Sequence, residues 1–283
     1  MAAPPSDAEL QPSKLGTKEH WDHVYSSELA NFNEIGDEGE IWFGEESVEK
    51  MVDWALEHVP LPSVSSSSSS VPPSPSSPSS PSSPSHPSIL EVGSGNGTLL
   101  FALAEAGYAP HHMCGIDYSA DAVALAESIA ETREIEGILF AQRDFLGEEV
   151  PVLGGGETHE VGGESPAVGG EETSTPLFTT NPSTWDLVLD KGTYDAIALG
   201  EKDEWGLSPA ARYPARVARL LRPGGYFLIT SCNFTEEELK ASFTAEKTLR
   251  YHSRVQHRTF SFGGQSGSVV CTVAFVKVEE GSV

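Results

Sequence analysis

The chain has 283 residues and carries 17 Lys and Arg against 42 Asp and Glu, which gives a formal net charge of -25. This acidic excess disfavours DNA or RNA as a substrate, because nucleic acids are bound chiefly by Lys and Arg that neutralise phosphates. No apolar run approaches the roughly 18 residues of a membrane span, and the opening MAAPPSDAELQPS lacks the features of a secretory signal, so we expect neither export nor membrane insertion.

The acidic residues are concentrated near the start, where residues 1–60 hold 14 Asp and Glu, three Lys and no Arg. Such a surface attracts a basic protein, although a simply solvated face explains the same pattern. Cys114, Cys232 and Cys271 stand apart, and neither a CxxC pair nor a histidine cluster with metal spacing occurs. We therefore expect reduced cysteines, no bound metal and a cytoplasmic location.

Two stretches are too poor in large apolar side chains to form a core. Residues 63–88 are almost entirely Ser and Pro, and residues 152–183 are rich in Gly, Glu, Ser and Thr. Because burial cannot offset the entropy lost on ordering them, both are predicted to be disordered insertions. They divide the chain into an N-terminal segment, residues 1–62, and a core, residues 89–283, that contains the second insertion.

From Ser88 onward, short β-branched runs alternate with segments of helical period, which predicts an α/β protein with a doubly wound, mostly parallel sheet. Strands are predicted at residues 88–92, 112–117, 137–142, 185–190 and 225–231. Helices are predicted at residues 98–107, 119–133 and 213–225, with Ser119 as an N-cap and Pro214 in a first turn. After residue 247, two strand runs joined by GGQSG predict a hairpin that adds an antiparallel strand.

The sequence LEVGSGNG places Gly93, Gly95 and Gly97 between the first strand and the first helix. Glycines allow a tight turn and let a ligand approach the backbone, and the following helix offers free N–H groups. Asp117 ends the next strand, where a carboxylate accepts hydrogen bonds from ribose hydroxyls. These features together predict a nucleoside-containing cofactor.

The spacing of the glycines separates two classes of cofactor. A dinucleotide fingerprint has its third glycine where this chain has Thr98, and it binds a pyrophosphate at the helix N-terminus. Here the spacing is GxGxG, and the charge of Glu91 disfavours a pyrophosphate but suits a cation. E-x-G-x-G-x-G resembles the first motif of the seven-strand S-adenosylmethionine (SAM) methyltransferases, whose Rossmann-like sheet ends in an antiparallel strand. A nicotinamide oxidoreductase is the least favoured alternative.

The resemblance implies SAM as the cofactor. By it, Glu91 and Gly93 approach the methionyl part, Asp117 holds the ribose, and RDF at residues 143–145 lies near the adenine, although Asp144 is also explained as a turn residue. The implied cofactor-binding residues are Glu91, Gly93, Gly95, Gly97, Asp117, Asp144 and Phe145.

Three further segments resemble one branch of that class. They are WDHVYSSELANFNEIGDEGEIWFGEESVEKMVDW at residues 21–54, LVLDKGTYDAI at residues 187–197 and ITSCNFTEEEL at residues 229–239. They closely resemble the lysine methyltransferases of translation elongation factor 1A, over nearly all of the chain outside the two insertions. The resemblance implies a SAM-dependent protein-lysine N-methyltransferase that acts on elongation factor 1A. We expect residues 1–62 to cover cofactor and substrate, and we expect a monomer.

The end of the fourth strand faces the cofactor in doubly wound sheets, so DKGTY is expected to meet the acceptor amine. Asp190 and Tyr194 are the predicted catalytic residues, whereas Asp195 is expected to be structural. The predicted substrate-binding residues are Trp42, Phe43, Lys191 and Gly192. Structural explanations are also open: Asp190 as a helix cap, and Trp42 and Phe43 as core anchors.

Two alternatives remain open, one for the identity of the acceptor and one for the presence of activity. Methyltransferases of amide or adenine nitrogens resemble one another in an Asn/Asp-Pro-Pro-Tyr/Phe motif, which DKGT lacks, so an aliphatic amine is favoured. The amine could belong to a small metabolite instead of a protein. A non-catalytic binding module that has kept the fold would explain the same glycine loop.

Overall fold

The computed structural model of the chain describes residues 10–62, 86–150, 184–262 and 265–279. The predicted insertion at residues 152–183 lies outside these ranges, as does the Ser/Pro insertion at residues 63–88 except for its last three residues. Helices in the described ranges lack the combination of length and apolar character that a membrane crossing requires.

Two helices of the N-terminal segment precede the sheet, α1 (Lys18–Ile35) and α2 (Glu45–His58). The Thr17 side chain caps α1 by accepting a hydrogen bond from a backbone N–H of its first turn, and Gly36 ends it in the left-handed conformation. α2 is amphipathic, and its apolar face joins the same hydrophobic core as the helix after the first strand. The buried apolar residues of α2 are Val48, Met51, Val52, Trp54 and Ala55.

Nine strands lie in the described ranges, and seven of them form one sheet. The seven are β1 (Ile89–Val92), β2 (Met113–Asp117), β3 (Leu139–Gln142), β4 (Trp185–Lys191), β5 (Leu221–Ser231), β6 (Leu249–Val255) and β9 (Cys271–Lys277). Their order is β3-β2-β1-β4-β5-β9-β6. The first five strands in this order, β3, β2, β1, β4 and β5, pair in parallel, and β9 is antiparallel to both of its neighbours. This arrangement confirms the predicted fold class.

Five more helices follow the first strand: α3 (Thr98–Glu105), α4 (Ala120–Thr132), α5 (Thr193–Ala198), α6 (Tyr213–Leu220) and α7 (Glu236–Thr244). Helices on both faces of the sheet enclose two hydrophobic clusters. Pro214 lies in the first turn of α6, as predicted. The helix predicted at residues 213–225 is shorter than expected, because α6 stops at Leu220 and the chain extends at once into β5, which contains the Pro-Gly-Gly of residues 223–225.

The predicted N-cap at Ser119 is confirmed in position, but its side chain does not cap the helix. Ser119 occupies the N-cap position of α4, but its side chain makes no capping hydrogen bond and its buried hydroxyl has no partner among the described residues. The Asp117 carboxylate instead accepts a hydrogen bond of 2.9 Å from the Ser119 backbone N–H. The acid at the end of β2 therefore shapes the start of α4.

The C-terminal strands differ in part from the predicted hairpin. β6 and β9 are antiparallel neighbours, as expected, but β9 lies between β5 and β6. The polar residues 256–259 leave the sheet, and β7 (Phe260–Phe262) and β8 (Gln265–Gly267) then form a separate two-stranded ribbon. The last three residues of GGQSG form β8, so the ribbon interrupts the predicted connection between β6 and β9.

Strand register brings the candidate site residues to one edge of the sheet. Val92, the last residue of β1, pairs with Ile116 on one side and with Asp190 on the other. Because parallel strands share a direction, the glycine loop, Asp117 and the DKGT segment all follow the carboxyl ends of neighbouring strands.

Candidate functional site

A cavity of about 770 Å³ opens at this edge. Its volume falls within the range of about 300–1,000 Å³ typical of small-molecule sites. The glycine loop, the end of β2, the loop after β3, the start of α5 and the N-terminal segment all contribute to the wall. The predicted site residues that line it are Trp42, Gly93, Gly95, Asp117, Asp144, Phe145, Lys191 and Gly192.

The three glycines of the glycine loop cannot readily be replaced by residues with side chains. Gly93, Gly95 and Gly97 have φ of 66°, 53° and 79°, a region that side chains rarely adopt. A Cβ at Gly95 would lie 2.5 Å from the Tyr25 hydroxyl, and one at Gly93 would collide with the Thr193 hydroxyl. The loop therefore packs against other parts of the protein on its side-chain side, and residues 93–96 border the cavity.

Asp117 joins the glycine loop to β2. Its nearly buried carboxylate accepts hydrogen bonds from the Gly95 N–H at 3.1 Å and the Ser119 N–H at 2.9 Å. Burial raises the pKa of Asp117 to about 6, against the effect of these hydrogen bonds. A carboxylate has about four acceptor positions, so capacity remains for the hydroxyls of a ribose.

Glu91 interacts electrostatically with Lys191 and is not among the residues that line the cavity. It is buried in β1, and its Oε2 has no hydrogen-bond partner among the described residues. Burial raises the pKa of Glu91 to about 8, while the neighbouring Lys191 opposes the increase. Burial likewise lowers the pKa of Lys191. This orphaned carboxylate oxygen near the loop would be stabilised by a cationic ligand, which favours a sulfonium-bearing cofactor over a pyrophosphate.

Three aromatic rings of the N-terminal segment line the cavity. The ring centroids of Trp21 and Trp42 lie 4.7 Å apart, and those of Trp21 and Tyr25 lie 6.1 Å apart. The Trp21 indole N–H donates to the Leu15 carbonyl at 2.7 Å. Sequence reasoning identified Trp42 but missed Trp21 and Tyr25. Their spacing of four residues in WDHVY was the available signal, since it places both on one helical face.

The WFG turn and the DKG segment interlock. Lys191 Nζ donates to the Trp42 carbonyl at 3.2 Å. Phe43 has a φ of 65°, and its ring lies 3.1 Å from the position of an added Cβ at Gly192, which itself has a φ of 93°. Phe43 is not among the residues found to line the cavity. It anchors the turn, while Trp42 forms the wall.

Asp190 and Tyr194 are buried and are not among the described residues that line the cavity. The fully buried Asp190 carboxylate accepts hydrogen bonds from the Thr193 N–H at 3.0 Å, the Tyr194 N–H at 2.9 Å and the Tyr213 hydroxyl. Burial raises the pKa of Asp190 to about 7. This geometry matches the helix-capping explanation, and it does not support the predicted catalytic role of Asp190.

The Tyr194 side chain is also part of the core. Its hydroxyl lies 3.2 Å from the Ser242 hydroxyl, and its ring packs against those of Tyr213 and Phe243. Asp195, expected to be structural, accepts hydrogen bonds from the Ser231 hydroxyl at 2.5 Å and the Cys232 N–H at 2.8 Å. Both residues therefore hold α5 against the sheet.

Asp144 and Phe145 follow β3 at the cavity wall. Asp144 is exposed, and its Oδ1 accepts a hydrogen bond of 2.9 Å from the Leu146 N–H. Phe145 is buried with one face near the cavity and packs against Tyr213. Asp144 is thus a turn residue that also reaches the cavity, so its placement is compatible with either of the two roles considered.

Comparison with known proteins gives concordant results. Residues 84–151 match a family model described as a methyltransferase domain. The chain is 36% identical over 271 residues to Protein-lysine N-methyltransferase efm4 of Schizosaccharomyces pombe, covering 94% of this chain and 95% of that protein. It is 34% identical over 275 residues to human EEF1A lysine methyltransferase 2, covering 97% and 91% respectively.

A solved structure shares the fold. The N-methyltransferase NodS from Bradyrhizobium japonicum WM9, in complex with S-adenosyl-l-homocysteine, superposes with a TM-score of 0.51 at 15% identity. The match covers 92% of this chain and 99% of that protein. At this identity the likeness concerns the fold alone.

Proposed function

The chain belongs to the family of protein-lysine N-methyltransferases that includes efm4 and EEF1A lysine methyltransferase 2, and from this we propose that it methylates a lysine of translation elongation factor 1A with SAM. One observation carries the proposal: the cavity has a bare glycine loop on one wall and the rings of Trp21, Tyr25 and Trp42 on another. The first wall suits a nucleoside cofactor, and the second suits an uncharged amine.

The residues at the cavity fit SAM. Asp117 would accept the ribose hydroxyls, and Asp144 with Phe145 would border the adenine. The glycine-loop backbone would border the methionyl part, and the positive charge of SAM would favour the ionised form of the nearby Glu91 carboxyl group. When bound, SAM supplies an electrophilic methyl group on a sulfonium. The chain's own task is to hold both reactants in line and to keep water away from them.

The acceptor lysine must lose its proton before transfer. A lysine pKa near 10.4 makes the neutral amine cost about 4.6 kcal/mol at pH 7, from roughly 3.4 pKa units at 1.36 kcal/mol each. An aromatic wall lowers this cost because it solvates the ammonium poorly. Trp21 and Trp42 are the residues proposed to do this.

A carboxylate at the cavity is needed to orient the amine, and Asp190 does not reach it. Glu40 does line the cavity, and it stands two residues before Trp42 in the WFGE segment. Its backbone N–H donates to the Glu28 carboxylate at 3.2 Å, which ties this part of the segment to α1. We propose Glu40 as the group that orients the substrate amine and accepts the proton that the amine loses.

The remaining expectations form part of the same proposal. The substrate is a basic protein, in keeping with the net charge of -25. Residues 1–62 cover cofactor and substrate, a role supported by the three aromatic rings that they contribute to the wall. The enzyme acts as a monomer in the cytoplasm. Sedimentation of the purified chain and cell fractionation test these last two points.

The direct test is incubation of the purified chain with labelled SAM and recombinant elongation factor 1A, followed by mass spectrometry of the product. We expect a methylated lysine that is absent when the chain is omitted. Calorimetric binding of SAM without any labelled elongation factor would favour the metabolite alternative. Failure to bind SAM at all would favour a non-catalytic module.

A further inference from the structure

A loop between α5 and α6 carries two exposed apolar side chains at the rim of the cavity. Trp205 is 79% exposed and Leu207 is 55% exposed. The residues on either side of them, Gly200 and Pro209, both line the cavity. An added Cβ at Gly200 would lie 3.0 Å from Pro209 Cγ, so the two ends of the loop touch. Residues 200–209 therefore form a compact surface loop with closed ends, a type that is frequently functional.

Asp203 fixes the shape of this rim loop. Its Oδ1 accepts hydrogen bonds from the Trp205 N–H at 3.0 Å and the Leu207 N–H at 2.8 Å. Its own backbone N–H donates to the Leu207 carbonyl at 3.1 Å, and its carbonyl accepts from the Gly206 N–H at 2.9 Å. The exposed rings and methyl groups thus stand on an ordered backbone, which reduces the entropy that a partner would have to offset on binding.

The charge of the rim selects the partner. Glu201, Asp203 and Glu204 outnumber Lys202 on the same loop, and the cavity wall adds the carboxylates of Glu40, Asp144 and Glu148 beside its basic residues. An exposed tryptophan on a loop with an acidic excess is complementary to a basic protein surface with an apolar recess. A small metabolite bound inside the cavity would not need an apolar side chain that points outward from its rim.

We propose that Trp205, with Leu207, is a docking contact for the protein substrate, seated in an apolar recess beside the acceptor lysine. This inference rests on the proposed function and adds to it a specificity-determining surface outside the cavity. Trp is the side chain that most often carries binding energy at protein interfaces, because it buries a large area at a low entropic cost.

The test is Trp205→Ala, assayed with intact elongation factor 1A. We expect KM for the protein substrate to rise about 30-fold, which converts to about 2 kcal/mol at 1.4 kcal/mol per tenfold change. The kcat at saturating substrate and the calorimetric Kd for SAM should stay within about twofold of wild type. Trp205→Phe should recover most of the lost affinity.

A matched control is Val269→Ala, since Val269 is 71% exposed, lies just before β9 and is not among the residues that line the cavity. It should leave KM unchanged. An unchanged KM in Trp205→Ala, with active wild-type enzyme, would overturn the docking role alone. A parallel loss of SAM affinity would also overturn it, because the residue would then support the cofactor site. Inactive wild-type enzyme would instead count against the proposed function.

The acidic part of the surface has its own measurement. Glu201→Lys with Glu204→Lys should raise KM at low salt, and the difference from wild type should shrink as salt is added, because exposed charges are screened. A KM that does not respond to the reversal at any salt concentration would remove the basic surface from the proposal.

Discussion

Glu91 and Lys191 interact electrostatically at the edge of the cavity, where Lys191 lines the wall and Glu91 is buried in β1. Burial raises the pKa of Glu91 and lowers that of Lys191, and the electrostatic interaction between the two groups opposes both shifts. One oxygen of Glu91 remains without a hydrogen-bond partner among the described residues. An unpaired buried polar atom costs free energy, and functional sites are where such costs tend to be kept.

The pH dependence of stability tests this arrangement through Glu91→Gln. The pKa of Glu91 rises from 4.5 in the unfolded chain to about 8 in the fold, so the folded state holds a proton that the unfolded state releases. The resulting stability is complete below pH 4.5 and is lost as pH rises through about 8. Thermal unfolding should therefore show Tm falling less with pH in Glu91→Gln than in wild type. Parallel Tm curves would contradict the raised pKa.

Asp117 is expected to be the main anchor of SAM. In Asp117→Asn the negative charge is lost, and with it the charge-assisted hydrogen bonds to the ribose, so the calorimetric Kd for SAM should rise roughly 100-fold. The amide oxygen can still accept a hydrogen bond from the loop, so circular dichroism should show a folded protein. Asp121→Asn, on the first turn of α4, serves as the control. Equal SAM affinity in both variants would remove Asp117 from the cofactor site.

Glu40→Gln and Asp190→Asn separate a group that meets substrate from one that holds the fold. We expect Glu40→Gln to lower kcat at least tenfold, an order typical of acid-base and orienting groups, while Tm stays near that of wild type. Asp190→Asn should lower Tm, because the buried carboxylate caps α5 and accepts from the Tyr213 hydroxyl. The reverse outcome would return Asp190 to the catalytic role predicted from sequence.

Among the elements, the N-terminal segment and the DKG segment act as two halves of one joint. Lys191 holds the Trp42 carbonyl, and the Phe43 ring rests on the bare face of Gly192. The left-handed backbone conformation of Phe43 is strained, at a cost of the order of 1–3 kcal/mol for such residues. Packing against a glycine is what allows the turn to keep that conformation.

Gly192→Ala should open this joint. Its Cβ would meet Phe43 at 3.1 Å in a backbone of φ 93°, so we expect lower Tm together with a higher KM for protein substrate, as the Trp42 wall is displaced. Gly36→Ala is the matched control, because it has a similar φ of 74° with open space around the added carbon. Gly36→Ala should lower Tm without altering KM. Identical kinetic effects in both variants would show that the joint does not position substrate.

At the scale of the whole molecule, the sequence patterns predicted those features that depend on residues close together in the chain. The strand limits of β1, β2 and β4 and the glycine loop follow from apolar periodicity and from backbone freedom, and the structure confirms them within a residue or two. Two features depend on distant contacts and escaped prediction: the insertion of β9 between β5 and β6, and the approach of Tyr25 to Gly95.

The same limit explains the candidate catalytic residues. Sequence placed DKGTY correctly at the edge of the sheet, but it could not tell which of its side chains faces the cavity. The Asp190 carboxylate accepts a hydrogen bond from the hydroxyl of Tyr213, which lies 23 residues away in the chain. This contact helps to shield the carboxylate from solvent. Spacing alone does not reveal such a partner.

Alternation along β4 has a consequence for how this protein can vary. Neighbouring side chains of a strand face opposite sides, so Asp190 is directed into the core and Lys191 toward the cavity. The insertion or deletion of one residue within β4 would exchange the directions of these two side chains. The lysine amine would then be buried under α5, and the aspartate carboxylate would point at the WFG turn. Related sequences should therefore differ in β4 by substitutions and should keep the length of this strand.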